Sequence, residues 1–143
     1  MAEVREVDSD AQRADAFDVR QTVFVEEQGV DEAIEYDEHE DEAVHFVAYD
    51  DGQPIGAARL REPNPGLGKV ERVAVLESRR EEGIGRELMA AVEDAARDRD
   101  LTELKLHSQT RAAAFYRRLG YERRGEEFEE AGIPHVEMRK SLE

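Results

Sequence analysis

The residues best placed to do chemistry lie in the run VERVAVLESRREEGIGREL, Val70 to Leu88, where Arg80, Gly83 and Gly85 form R-x-x-G-x-G between an apolar strand and a helix. Glycines at the mouth of a helix let the backbone come close to a ligand. The unpaired first-turn N–H groups and the helix dipole favour a negative charge there. That combination describes a pyrophosphate site. A Walker loop needs G-x-x-x-x-G-K-[ST], which Gly83 does not begin. A dinucleotide fingerprint needs a third glycine where Leu88 stands. For the glycine pair taken alone, a relaxed turn before an ordinary helix stays open.

Other chemistry is bounded by what the chain lacks. His39, His45, His107 and His135 are scattered and show no H-E-x-x-H spacing, so no metal site is expected. With no cysteine there is no disulfide framework, no thiolate metal site and no cysteine nucleophile. Histidine is a residue type suited to general-base work, which makes His107 and His135 candidates, although a lone histidine is more often structural. Among 36 acidic residues most single carboxylates belong to the surface.

The elements that must position these residues alternate between strand and helix, without internal repeats or a linker long enough to separate domains. Val4 to Val7 reads as a first strand, and Asp8, Ser9 or Asp10 can cap a helix from about Ala11 to Val25. Gln28 to Asp41 reads as an acidic loop. AVHFVAYD (Ala43 to Asp50) and PIGAARLR (Pro54 to Arg61) flank Asp51-Gly52, a hairpin signal. Asn64-Pro65-Gly66 breaks the next connection. The strand Lys69 to Val75 leads to a helix from Ile84 to Arg99, with Ile84, Leu88, Ala91, Val92, Ala95 and Ala96 on one face. A strand through Leu104, Leu106 and Ser108 feeds a helix from Thr110 to Leu119, closed by Gly120. Two strands, Tyr121 to Arg124 and Pro134 to Arg139, complete a mixed sheet.

At 143 residues, 39% of them hydrophobic, the chain suits one domain with a real core, taken here as residues 1–143. No apolar run approaches the roughly 20 residues of a membrane span, and MAEVREVDSD lacks the regions of a signal peptide, so a cytoplasmic protein is expected. The formal charge of −16 makes nucleic acid an unfavourable partner. Lys69, Lys105 and Lys140 are the only lysines. Acidic and lysine-poor is the composition of proteins from salt-loving archaea. At molar salt the Debye length is only about 3 Å, which screens the self-repulsion of such a surface.

Arg80-Glu81-Glu82-Gly83-Ile84-Gly85 resembles the pyrophosphate loop, Q/R-x-x-G-x-G/A, of the GNAT superfamily of acyl-CoA-dependent N-acyltransferases. Downstream, HSQTRAAAFYRRLGY (His107 to Tyr121) resembles that superfamily's strand followed by A-x-x-F-Y and L-G-F/Y. The segments VFVEEQGVDEAIEYDEHED and GEEFEEAGIPHVEMRK look like its ElaA-like branch, so the resemblance covers nearly the whole chain. It implies an α/β (mixed α+β) fold, a mostly antiparallel mixed sheet of six to seven strands flanked by helices, with a splayed central cleft that takes acetyl-CoA as acyl donor. Carried over by motif, Val73, Ala74 and Val75 would offer main chain to the pantetheine arm. Arg80, Gly83, Ile84, Gly85 and Arg86 would hold the pyrophosphate. Gln109 stands where an asparagine is frequent and would supply an amide to the cofactor. Tyr116 aligns with the motif tyrosine and would protonate the departing thiolate. Glu71 matches the position of an acidic general base, acting directly or through water, and Glu26 and Glu27 fall in a segment that lines the acceptor side.

The resemblance therefore implies an N-acetyltransferase that moves an acetyl group to a primary amine of a small molecule or peptide by direct attack in a ternary complex. Without cysteine, only a serine or tyrosine could carry the acyl group otherwise. A non-catalytic acyl-CoA-binding or sensing module is the alternative, and a structural subunit a third reading. Superfamily members are frequently homodimers.

Overall fold

A computed structural model describes residues 2–143, apart from the side chain of Ile34. Seven strands form one sheet in the order β1-β2-β3-β4-β5-β7-β6: β1 Glu3–Glu6, β2 Val44–Asp50, β3 Gln53–Asn64, β4 Leu67–Val75, β5 Glu103–Gln109, β6 Glu122–Glu130 and β7 Ile133–Ser141. Every neighbouring pair is antiparallel except β4 and β5. Those two are joined through α3, Ile84–Asp98, as a parallel crossover requires. The remaining helices are α1 Asp10–Arg20, a short α2 Glu32–Glu35 and α4 Ala113–Arg118.

The two faces of the sheet bury separate sets of side chains. Under α3 and α4, Phe46, Ile55, Leu60, Val70, Leu88, Met89, Val92, Leu104, Leu106, Tyr116, Tyr121 and Met138 share a core. Beneath α1, Ala16, Val19 and Val23 pack on Val47, Ala57 and Ala74. The period of α3 places Ile84, Leu88, Val92, Ala95 and Ala96 inward as its sequence requires, together with Met89 and with Glu93, which accepts from the Tyr121 hydroxyl at 2.9 Å.

Several boundaries differ from the sequence expectation for local physical reasons. Asp51-Gly52 does turn the first hairpin, with φ of +53° and +80° as a type I′ turn demands. Pro65 and Gly66 do not merely break the chain but turn β3 directly into β4, pairing Asn64 with Leu67. The helix expected to run to Val25 changes winding at Gln21, where α1 passes into a π-helix, Gln21–Glu27. The wider turn keeps Val23 buried and carries Glu27 and Gln28 to the edge of the sheet's cleft. The acidic loop holds α2, capped by the Asp31 side chain on the Ala33 N–H. Strand β6 runs to Glu130 rather than ending at Arg124.

Candidate active site

Strands β4 and β5 pair only from Leu67↔Glu103 to Val70↔Leu106. Beyond Val70, β4 continues for five residues with no partner on that side, while β3 still pairs with its other edge through Val75. The strands splay, and the gap opens into a cavity of ≈ 990 Å³.

A β-bulge fixes where this happens. Between Ala57↔Ala74 and Arg59↔Glu71, three steps of β4 oppose two of β3, and Arg72 takes φ +57°. The extra residue reverses the alternation. Glu71 therefore shares the α1 face with Arg59, whereas Val73 and Val75 turn toward the core under α3. A left-handed arginine is strained, and its side chain is held by Glu35 Oε1 at 3.3 Å and Asp37 Oδ2 at 3.2 Å.

At one end of the cavity stand Arg80, Gly83, Ile84, Gly85 and Arg86. Gly83 caps α3 at φ +86°, where an added Cβ would meet nothing within 4 Å, so its requirement is conformational. Gly85 has the opposite reason: a Cβ there would lie 3.1 Å from the Phe115 ring, so α3 and α4 close up only on a hydrogen. Among the described residues no acceptor meets the N–H groups of Gly83, Ile84, Gly85 or Arg86, which leaves the α3 N-terminus free to bind an anion.

Arg80 is not idle at this mouth. Its terminal nitrogens donate to both oxygens of Glu27 at 2.7 Å, and its Nε donates to the Val75 carbonyl at 3.0 Å. Glu27 is thereby held below the ordinary carboxylate range by the Arg80 hydrogen bonds. Gln109, at the end of β5, donates to Gln28 Oε1 at 2.8 Å and accepts from Arg111 Nε at 2.8 Å. The end of the π-helix thus spans both sides of the cleft mouth. Of the two carboxylates expected on the acceptor side, Glu27 pairs with Arg80 at the mouth of α3, and Glu26 is exposed and outside the cavity lining.

Tyr116 lines the same cavity from α4, edge-on to Phe115 and Tyr121 at ring separations of 5.0 and 5.9 Å. Its hydroxyl has no hydrogen-bond partner among the described residues. Burial raises its pKa, which keeps the proton on the phenol.

At the other end, on the α1 face, lies a charged network that the sequence did not announce. Glu71 accepts from Arg59 and Arg61 at 2.7 Å each and meets Lys69 at 3.2 Å. Arg59, fully buried in β3, also donates to Asp37 at 2.8 Å. Burial alone would raise the Glu71 pKa, but the Arg61 hydrogen bond and the charges of Arg59 and Lys69 outweigh it and bring it to about 2. This bears on the expected general base. A carboxylate so stabilised is too weak a base to take a proton directly from an ammonium. Against the opposite wall His107 Nδ1 lies 2.9 Å from Glu130, with His135 Nε2 at 3.8 Å from the same carboxylate. The two histidines, distant in sequence, converge because β5 and β7 pair Gln109 with His135. The sequence carried one usable signal for the network: Arg59 and Arg61 interrupt an otherwise apolar strand with inward period-2 spacing.

A splayed parallel pair, a glycine-capped helix mouth and a cavity-lining tyrosine fit the acyl-CoA cleft that the motifs imply, and comparison with known proteins agrees. The acetyltransferase (GNAT) domain model matches residues 7–142. The chain belongs to the GNAT acetyltransferase family. It is 46% identical over 133 residues to the uncharacterized N-acetyltransferase YjcF of Bacillus subtilis, covering 92% of this chain and 94% of that one. An acyl-CoA N-acyltransferase structure from Pseudomonas aeruginosa superposes with a TM-score of 0.83 at 28% identity, over 98% of both chains. Escherichia coli ElaA has a TM-score of 0.87 over 98% of this chain and 99% of its own, and at 23% identity that is a likeness of fold. As a GNAT protein the chain is an acyl-CoA-dependent N-acyltransferase. No helix among the described residues is long and apolar enough to cross a membrane.

Proposed function

We propose that this GNAT protein transfers an acetyl group from acetyl-CoA to a primary amine by direct attack in a ternary complex. The observation that supports it best is the meeting, in one cavity, of the unpaired β4 edge, the free α3 N-terminus and the Tyr116 hydroxyl. Main-chain groups of Val73 and Val75, directed away from β3, pair with the pantetheine amides as an added strand would, while Ala74 spends its own on Ala57 of β3. Gly83, Ile84, Gly85 and Arg86 receive the pyrophosphate, and Arg80 exchanges Glu27 for phosphate oxygens. Gln109 keeps its amide at the rim.

The neutral amine attacks the thioester carbonyl carbon, forming the C–N bond and an oxyanion. Collapse of that intermediate breaks the C–S bond, and the sulfur takes the Tyr116 proton. The nitrogen's surplus proton passes through water to restore the phenol. Glu71 serves this sequence by its charge. We take residues 1–143 as one domain acting in the cytoplasm at high salt, because the acidic, lysine-poor surface needs screening.

The deciding experiment is thermal unfolding in molar KCl with acetyl-CoA, ATP or NADH, followed by thiol release on a panel of amines. Acetyl-CoA at about 100 times its dissociation constant stabilises by about 2.7 kcal/mol, several degrees for this chain. Tyr116→Phe then lowers kcat by about 10²-fold or more while the acetyl-CoA shift persists. No shift in folded protein overturns the reading, and unchanged turnover in Tyr116→Phe removes the proton donor.

A further inference from the structure

The acceptor end of the cavity has an unusual charge for this chain. Arg20, Arg59, Arg61, Lys69 and Arg72 form a connected network with Glu35, Asp37, Glu40 and Glu71 through contacts of 2.6 to 3.3 Å. Five cations thus face four carboxylates, an excess of one positive charge in a protein whose formal charge is −16. Donors are in surplus as well as charge. Glu71 Oε1 is shared by Arg59 and Arg61, and Arg59 Nε is buried without a hydrogen-bond partner among the described residues. Arg61 spends only its Nε on Glu71, and Lys69 makes one contact of 3.2 Å.

These two side chains are where the surplus reaches the cavity. Arg61 and Lys69 both line it, with 16% and 15% of their side chains exposed. The terminal nitrogens of Arg61 have no partner among the described residues. A guanidinium fork beside an ammonium, in a pocket held rigid by buried ion pairs, is suited to bind a carboxylate. A single carboxylate matches the free nitrogens of Arg61 and the ammonium of Lys69. The wall across the cavity offers the complementary sign, Glu130 beside His107, toward which an ammonium would turn.

We infer that the acceptor is an amine that also carries a carboxylate, bound by Arg61 and Lys69. The inference rests on the acetyltransferase reading above and names the substrate class for that site. It predicts that the enzyme distinguishes an amino acid from its own amide, since the two share the nucleophile and differ in the group the arginine reads.

The test uses the full chain in molar KCl. Glycine, β-alanine, 4-aminobutanoate and L-lysine, each with its amide, are compared in acetyl-CoA-dependent thiol release and in calorimetric binding to CoA-saturated protein. Expected is at least a tenfold preference for one or more acids over the matching amide, in kcat/KM and in affinity. Arg61→Met and Lys69→Met should raise KM for the acid and collapse that preference, with acetyl-CoA affinity unchanged, and Arg61→Lys should restore part of it. Either variant suffices if the other does not fold. Equal treatment of acids and amides, binding of none of the acids, or an acid preference that survives both folded methionine variants overturns the inference. Loss of CoA binding in the wild-type protein would instead sink the acetyltransferase reading, and this inference with it.

Discussion

The two ends of the cleft are built on different physics. The mouth near Arg80 is made of main chain: a left-handed glycine, a bare helix terminus and an unpaired strand edge, with one exposed ion pair laid across them. The end on the α1 face is made of side chains, buried charges assembled from β3, β4, α1 and the segment after α2. Backbone geometry tolerates substitution of its neighbours and fails at single glycines. A buried charge network fails when its fully buried member is lost, because the charges left behind stay out of water.

That contrast predicts where mutations act. Arg59→Met should be the most damaging, since it leaves Glu71 and Asp37 without their buried partner; a loss of about 3–5 kcal/mol, read as a melting temperature lower by roughly 10 °C in molar KCl, is expected. A near-neutral result would mean that the charged end tolerates apolar filling and would erase the contrast.

Acid should attack the same end. Glu71 and Asp37 have folded pKa values of about 2, below the ordinary carboxylate range, so their stabilising contribution is complete above pH about 4 and is lost as pH falls toward 2. Glu35 opposes this, its pKa being raised by burial. Thermal unfolding at fixed high salt should therefore show stability falling by about 2 kcal/mol or more over that interval. A flat profile would mean that the network does not hold these carboxylates ionised.

At the mouth, Gly85→Ala drives a methyl against Phe115 and should cost about 1–3 kcal/mol, measured by chemical denaturation. The smallest effect is the most diagnostic. Glu27→Gln frees Arg80 from its bidentate partner and should tighten acetyl-CoA binding severalfold by calorimetry, with little change in stability because the pair is exposed. Weaker binding instead would make Glu27 the residue that aims Arg80.

Much of the mouth was legible because its chemistry is local. R-x-x-G-x-G, the following amphipathic helix and the A-x-x-F-Y run each lie within a few turns of chain, so their resemblance to the GNAT motifs could be read without knowing the fold. The register of Arg59 with Glu71, the bulge at Arg72 and the approach of Gln28 to Gln109 join residues 12 to 81 positions apart. No local pattern encodes such pairings. The winding change at Gln21 was hidden for the same reason: Gln21 to Glu27 looks like more amphipathic helix, and what it bonds to lies across the cleft.

By itself the sequence determined the order of strands and helices and the glycine-capped α3, because period, caps and turns are set by neighbours along the chain; the candidate cofactor residues came from its resemblance to the GNAT motifs. The tertiary structure alone decided that the β4 bulge turns Glu71 toward three cations, that Glu27 holds Arg80, and that buried cations gather on the α1 face of a strongly acidic protein. Those outcomes depend on which distant charges are brought together and buried, and electrostatic energy in a protein is fixed by separation and solvent exclusion rather than by composition.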